Sequence, residues 1–255
     1  MKTLKAMLLK FLGHTAYLQL TSKAFFIAFK NGWLKNNPAY YTHYLVKEMI
    51  APGSQIIDIG ANLGYYSCLF AEKTGANGHV YSVEPIDLYR NILKKNTAVY
   101  PQVTLMPYAL GSESGTLKMG NPSPDKHRHG LMRVLGPDEI KDAQYEVEVK
   151  NPLDLFASLR SIDYIKCDIE GYEVPVIPAM KTLLEKHRPL VQVETEGDNK
   201  IKLMELFKEL HYQTYFATNN GLVAYTHPTE TLPADLMAIP KEKVENYRQW
   251  ISNER

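Results

Sequence analysis

The first 47 positions of the chain contain no Asp or Glu, although seven lysines fall there (Lys2, Lys5, Lys10, Lys23, Lys30, Lys35 and Lys47). The net charge of +1 therefore hides an asymmetry, because the rest of the chain carries −6, the total less the +7 of this segment. An acidic main body repels phosphates, so no nucleic-acid partner is expected. Cysteine is scarce as well: Cys68 and Cys167 both sit inside apolar runs. That excludes a disulfide framework and fits buried thiols in a reducing, cytoplasmic setting. No C-x-x-C or H-E-x-x-H occurs, which removes the usual zinc patterns. Long apolar runs are missing too. Lys10 breaks MLLKFL, and AFFIAF between Lys23 and Lys30 falls far short of the ~18 residues of a spanning helix, so neither a signal peptide nor a transmembrane segment is expected. Residues 1–50 read as a basic helical extension. It either caps the domain or touches an anionic membrane surface through residues 1–47.

What is present is an ordinary globular composition, 45% apolar and 22% charged. The 255 residues suffice for one α/β domain plus an extension. Ala51-Pro52-Gly53 marks the start of that domain, which is expected to run over 51–240 and to be followed by a helical tail over 241–255. Apolar runs predict strands near 55–60, 79–84, 103–108, 163–167 and 189–194. They alternate with helical patterns near 64–73, 87–97, 172–186 and 199–210. The alternation implies a parallel sheet covered on both faces. YQTYFAT (212–218) and GLVAYT (221–226) around Asn219-Asn220-Gly221 predict a closing antiparallel hairpin. That combination resembles the Rossmann-like sheet of class I methyltransferases. A turn-rich excursion over 112–150 reads as a lid or substrate wall.

Two stretches carry chemistry. Gln55 to Ser67 reads QIIDIGANLGYYS, a strand ending in Asp58, a turn around Gly60 and Gly64, and the opening of a helix. Glycines there let the backbone approach a ligand, and the helix amides favour a carboxylate or phosphate. The next strand ends in Glu84, placed to accept both hydroxyls of a ribose. A dinucleotide fingerprint would need G-x-G-x-x-G, and two of its three glycines are absent at any register. D-x-G-x-x-x-G with an acid ending the next strand suits S-adenosylmethionine better, with its carboxylate on the turn amides, its ammonium near Asp58 and its ribose on Glu84. The second stretch, SIDYIKCDIEGYEVPVIPAM (161–180), places Lys166 and Asp168 on one side of a strand, Glu170 in the turn and Glu173 at a helix start. Glu173 reads as a helix cap; Asp168 and Glu170 read as functional.

Together these stretches resemble the FkbM family of S-adenosylmethionine-dependent methyltransferases. The pattern D-x-G-A-N-x-G, E-P, A-L-G and K-x-D-x-E-G-x-E is met by Asp58, Gly60, Ala61, Asn62 and Gly64, by Glu84-Pro85, by Ala109-Leu110-Gly111, and by Lys166, Asp168, Glu170, Gly171 and Glu173. The likeness covers about residues 51–198. It implies cofactor contacts at Asp58, Gly60, Ala61, Asn62, Gly64, Glu84, Pro85, Ala109 and Asp168. It also implies O-methylation of a small-molecule or sugar-containing acceptor.

An alcohol acceptor must lose a proton as it attacks. Asp168 or Glu170 can serve as the base, or Asp168 with Glu194 can hold Mg²⁺ or Ca²⁺ to acidify the hydroxyl. His127 and His129, flanking Arg128, are alternative bases, and Arg128 with Arg133 can grip an acidic group. Asn37-Pro38-Ala39-Tyr40 is similar to the N-P-P-Y element of amino-methyltransferases but lacks its second proline, and reads as a helix-ending turn. Tyr40, Tyr41 and Tyr44 read as packing. Two other readings compete: a nicotinamide oxidoreductase, opposed by the missing glycines, and a membrane-surface protein on a degenerate methyltransferase scaffold.

Overall fold

The structure is a computed structural model that describes residues 2–121, 129–224 and 233–252. Its centre is a sheet of parallel strands β1 (Gln55–Ile59), β2 (His79–Val83) and β3 (Val103–Met106). A smaller sheet follows, made of β4 (Ala109–Leu110), β5 (Gly115–Gly120), β6 (Arg133–Val134) and β7 (Tyr145–Lys150). The chain then returns to the main sheet with β8 (Tyr164–Cys167), β9 (Leu190–Glu194), β10 (Tyr212–Thr218), β11 (Gly221–Ala224) and β12 (Asp235–Pro240). The main order is β11-β10-β12-β9-β8-β1-β2-β3. β3, β2, β1, β8 and β9 are parallel, whereas β12 is antiparallel to both β9 and β10. The expected hairpin is present as β10 and β11. The strand that separates it from the parallel set, β12, was not anticipated. Its DLMAIP run is buried almost throughout and so lacks the alternation that marks a half-exposed strand.

Strand pleating sorts the core onto two faces. On one face lie Ile57, Ile165 and Val191, neighbours in register, covered by α6 (Glu173–Ala179), α7 (Lys181–His187) and α8 (Gly197–Glu209). The sequence predicts one helix over 172–186; Pro178 lacks an amide hydrogen, and the chain makes two helices that meet at Met180. On the other face lie Ile56, Tyr164 and Leu190, covered by α2 (Tyr41–Met49) and α3 (Tyr65–Thr74). Val46 and Met49 of α2 are buried in that cluster. The long helix α1 (Lys2–Lys30), kinked at Gly13, sends Leu18 into a third cluster with Ile92 of α4 (Asp87–Asn96) and with Met119 and Met132 of the 112–150 excursion. Asn151 caps the short α5 (Pro152–Phe156) by accepting from Leu153 N–H. The segment after β12 forms a 3₁₀ helix over Lys241–Trp250. Cys68 and Cys167 are buried and free, and burial pushes the Cys68 thiol up to about 12.

Candidate active site

Strand order reverses between β1 and β8, and in such sheets the crevice for a ligand opens at the carboxyl ends of the strands flanking that point. Both sequence stretches end there. Gly60 and Ala61 each donate an amide hydrogen to Val83 O at 3.0 Å, which folds the turn after β1 back over β2. Gly60 has φ 76°, and a Cβ on it would lie 1.9 Å from the Asp168 carbonyl oxygen. Only glycine lets the two chain crossings touch. Asn62 is held left-handed at φ 50°, and its amide donates to Glu84 Oε2 at 2.9 Å. Ile86 N–H donates to Glu84 Oε1 at the same distance. The Glu84 side chain thus faces the turn, 5% exposed, with lone pairs remaining on both oxygens. Burial, against the pull of those two amides, raises its pKa to about 7.

Beneath the turn lies a charged knot. Lys166 is 3% exposed; its ammonium lies 3.1 Å from Asp168 Oδ2 and 3.7 Å from Asp58 Oδ1, and it donates to Gly60 O at 3.1 Å. Burial opposes its charge, but Asp168 and Asp58 outweigh that and raise its pKa. Asp58 is wholly buried, accepts from Ser67 Oγ at 2.6 Å, and does not border the cavity. The expected direct contact of Asp58 with the cofactor ammonium is therefore corrected: it braces the loop through Ser67 and Lys166. Ala61 and Gly64 likewise shape the turn from behind. Glu173 accepts from Ile169 and Gly171 N–H at 3.0 and 3.1 Å and buckles the turn after β8. That turn holds Glu170 at φ 55° and Gly171 at φ 99°.

A cavity of about 230 Å³ opens above this knot. Among the residues singled out from sequence, Gly60, Asn62, Glu84, Pro85, Ala109, Asp168 and Glu170 border it. Its apolar walls, Tyr65, Tyr89, Tyr108 and Tyr172, were not anticipated, because isolated tyrosines carry no spacing signal. Gly130, Met132 and Val134 of the 112–150 excursion close one side. His127 and Arg128 lie outside the described residues. His129 opens a short 3₁₀ turn to Leu131, and its side chain is not described. Arg133, expected to grip an acidic group, pairs with Glu139 at 2.6 Å.

A second cavity, of about 530 Å³, lies on the far side of Asp168. It is bordered by Thr42 and His43 of α2, by Tyr66, by Gln192 and Glu194 of β9, and by Asp235 of β12. Gln192 organises this wall: it accepts from Tyr164 OH at 2.8 Å and donates to Tyr66 OH at 3.0 Å and to Asp235 Oδ1 at 2.8 Å. Thr42 donates to the other Asp235 oxygen at 2.6 Å. The Asn37–Tyr40 turn also reaches this cavity through Pro38 and Ala39. Asp168 and Glu194 do share it, but among the described residues no three metal-ligating side chains converge. With the Lys166 ammonium already on Asp168, the residues do not fit the expected Mg²⁺ or Ca²⁺.

A parallel sheet with one antiparallel strand inserted near its edge, and a glycine turn facing an acid on the neighbouring strand, define the class I methyltransferase fold. The chain belongs to the FkbM methyltransferase family: residues 58–220 match the model of the Methyltransferase FkbM domain. Over 59 residues it is 37% identical to the protein-L-isoaspartate O-methyltransferase of Methanosarcina mazei, covering 22% of this chain and 24% of that one. Among solved structures it is similar to Methyltransferase FkbM from Methylobacillus flagellatus KT, with 16% identity and a TM-score of 0.49 over 78% of this chain and 47% of that one. It is also similar to Aeropyrum pernix fibrillarin with natively bound S-adenosyl-L-methionine, with 10% identity and a TM-score of 0.43, covering 74% and 67% of the two chains. The chain thus spans about half of the Methylobacillus protein and about a quarter of the Methanosarcina one.

Proposed function

We propose that the chain transfers the methyl group of S-adenosylmethionine to a hydroxyl of a small-molecule or sugar-containing acceptor. The observation that carries this reading is that Asp168 borders both cavities, one fit for a nucleoside and the other for an acceptor. Bound in the first cavity, the cofactor supplies a methyl already activated on sulfur. Glu84 accepts the ribose hydroxyls, the tyrosine walls cover the base, and the turn over Gly60 and Asn62 lets backbone approach the amino-acid end. Asp168 has one oxygen on Lys166 and turns the other to the acceptor hydroxyl, fixing its direction of attack. Glu170, which borders the first cavity beside Asp168, takes the proton where the two cavities meet. Its pKa is raised by partial burial first and then by Asp168 and Glu173, toward the range in which a carboxylate works as a base at neutral pH. The left-handed φ of Glu170 supports this role, since strained conformations gather at functional sites. Glu170→Gln is expected to lower turnover at least tenfold with unchanged affinity for S-adenosylhomocysteine. Unchanged turnover would remove Glu170 from the reaction.

We also propose that the enzyme attaches to an anionic membrane surface through α1. Among the described residues no helix is long and apolar enough to cross a membrane. Yet Leu20 and Ile27, two turns apart on α1 after the kink at Gly13, are both exposed, and Trp33 beyond it is 73% exposed. The surrounding charges are all lysines, which favours anionic lipid and repels a second copy of the helix. The full chain should sediment with phosphatidylserine vesicles and not with phosphatidylcholine vesicles, and Leu20→Ser with Ile27→Ser should weaken this at least fivefold. Equal sedimentation of both proteins would refute it, as would dimerisation through this face without lipid.

A further inference from the structure

We propose that the acceptor is the polyol headgroup of an anionic lipid, which enters the second cavity from the membrane surface on which α1 lies. This rests on the methyl-transfer and membrane readings above and joins them by naming where the hydroxyl comes from. Tyr41, Thr218 and Asn219 border the second cavity and also border a neighbouring cleft of about 460 Å³, which Lys35, Asn36 and Tyr44 line as well. With three residues in common, the two spaces form one path from the exposed Lys35 inward to Asp168.

The outer cleft is built on the lipid-facing element itself. Phe29, close behind the exposed Ile27, is stacked on Tyr44 with ring centroids 4.3 Å apart, and Tyr44 OH donates to Phe29 O at 3.0 Å. Tyr44 thereby ties the cleft to the last turn of α1. Trp33 and Lys35 are both exposed just beyond that helix. Indole rings gather at the headgroup level of a bilayer, and lysines are drawn to its anionic surface. Pro38, which borders the second cavity, follows Trp33 so closely in the chain that the two lie at most about 18 Å apart. The cavity wall is thus held within reach of the headgroup layer.

Charge sorts the two ends of the path. Lys35 Nζ, 6.0 Å from the centre of the Tyr44 ring, stands at the outer end and suits a phosphodiester. Asp168 at the inner end accepts from hydroxyls and has no donor to offer a phosphate. A headgroup with its phosphate toward the lipid and its hydroxyls beyond meets both demands. A soluble polyol phosphate meets them too, so the test separates the lipid-borne form from the free one.

The test gives the full chain S-adenosylmethionine with a tritiated methyl and either phosphatidylinositol in phosphatidylcholine vesicles or glycerophosphoinositol, the same headgroup without its lipid. Label should enter the lipid at least tenfold faster than the soluble headgroup at equal concentration. Lys35→Glu, compared with the wild type when both are fully vesicle-bound, should lower the lipid rate at least fivefold and leave S-adenosylhomocysteine affinity unchanged. A second measurement needs no turnover and relies on Cys68 and Cys167 being buried. A thiol-reactive fluorophore on Asn219→Cys, at the cavity mouth, should be quenched by lipids with a nitroxide headgroup in phosphatidylserine vesicles. The same fluorophore on Lys202→Cys of α8, across the sheet from α2, should stay bright. Equal rates on lipid and free headgroup, label in neither, or equal quenching of the two probes overturns the lipid-borne acceptor. Failure to sediment with phosphatidylserine vesicles overturns the membrane reading, and failure to bind S-adenosylhomocysteine overturns the methyl-transfer reading.

Discussion

Lys166 Nζ and Asp168 Oδ2 lie 3.1 Å apart at the floor between two cavities, the ammonium sealed from solvent and the carboxylate open to both sides. The pair joins the glycine turn to the second cavity, because the same ammonium also holds Gly60 O and the wholly buried Asp58. A disturbance at Lys166 is therefore felt at three places.

Lys166→Met leaves Asp58 buried beside an apolar side chain. Removing one partner of a buried pair costs about 3–5 kcal/mol, and urea denaturation should show a loss of that order. Adding Asp58→Asn to the same protein should recover a large part of it. A loss below about 1 kcal/mol, within the range of an exposed ion pair, would show that the knot is not a structural unit.

Gly60 and Gly64 both have positive φ, yet they are not equivalent. A methyl at 60 meets backbone, the Asp168 carbonyl oxygen at 1.9 Å, whereas at 64 it meets the end of the Leu93 side chain at 2.7 Å, which can rotate away. Gly60→Ala should abolish S-adenosylhomocysteine binding. Gly64→Ala should cost about 1–2 kcal/mol of stability from the left-handed backbone and retain binding within tenfold. Calorimetry and thermal melts on the two variants check the order.

Glu84 titrates in the neutral range because burial raises it from 4.5 to about 7. The native state keeps that proton while the unfolded chain has released it, so this group's contribution to stability falls as pH rises from about 4.5 to 7 and levels off above. Ribose hydroxyls donate to the ionised form, so S-adenosylhomocysteine should bind more tightly as pH rises through 7. Glu84→Gln should flatten both trends, read by urea denaturation and calorimetry at pH 5 to 8. A pH dependence unchanged in Glu84→Gln would assign the titration to another group.

The glycine turn, the ribose acid and the strands that carry them are legible in the sequence because their contacts are local: Glu84 is aimed by Asn62 and Ile86, near neighbours across one βαβ step. The second cavity is not legible, because it is assembled from Thr42, Gln192 and Asp235, which meet only after the sheet has formed. His43 illustrates the cost of distance. The sequence draws attention to His127 and His129 in a polar loop, while the histidine that borders the second cavity sits on α2 among aromatics that read as packing. β12 was hidden for a different reason: buried on both faces, it shows no alternation and follows a stretch without strand signals.

Isothermal calorimetry with S-adenosylhomocysteine, on the wild type and on Glu84→Ala, tests most directly whether the turn over Gly60 and the acid beside it embrace an adenosyl group. The expected result is one site per chain in the wild type, weakened at least thirtyfold in the variant, and no heat with NAD in either. Silence toward both S-adenosylmethionine and S-adenosylhomocysteine from the folded wild type, or equal affinity in Glu84→Ala, would contradict it.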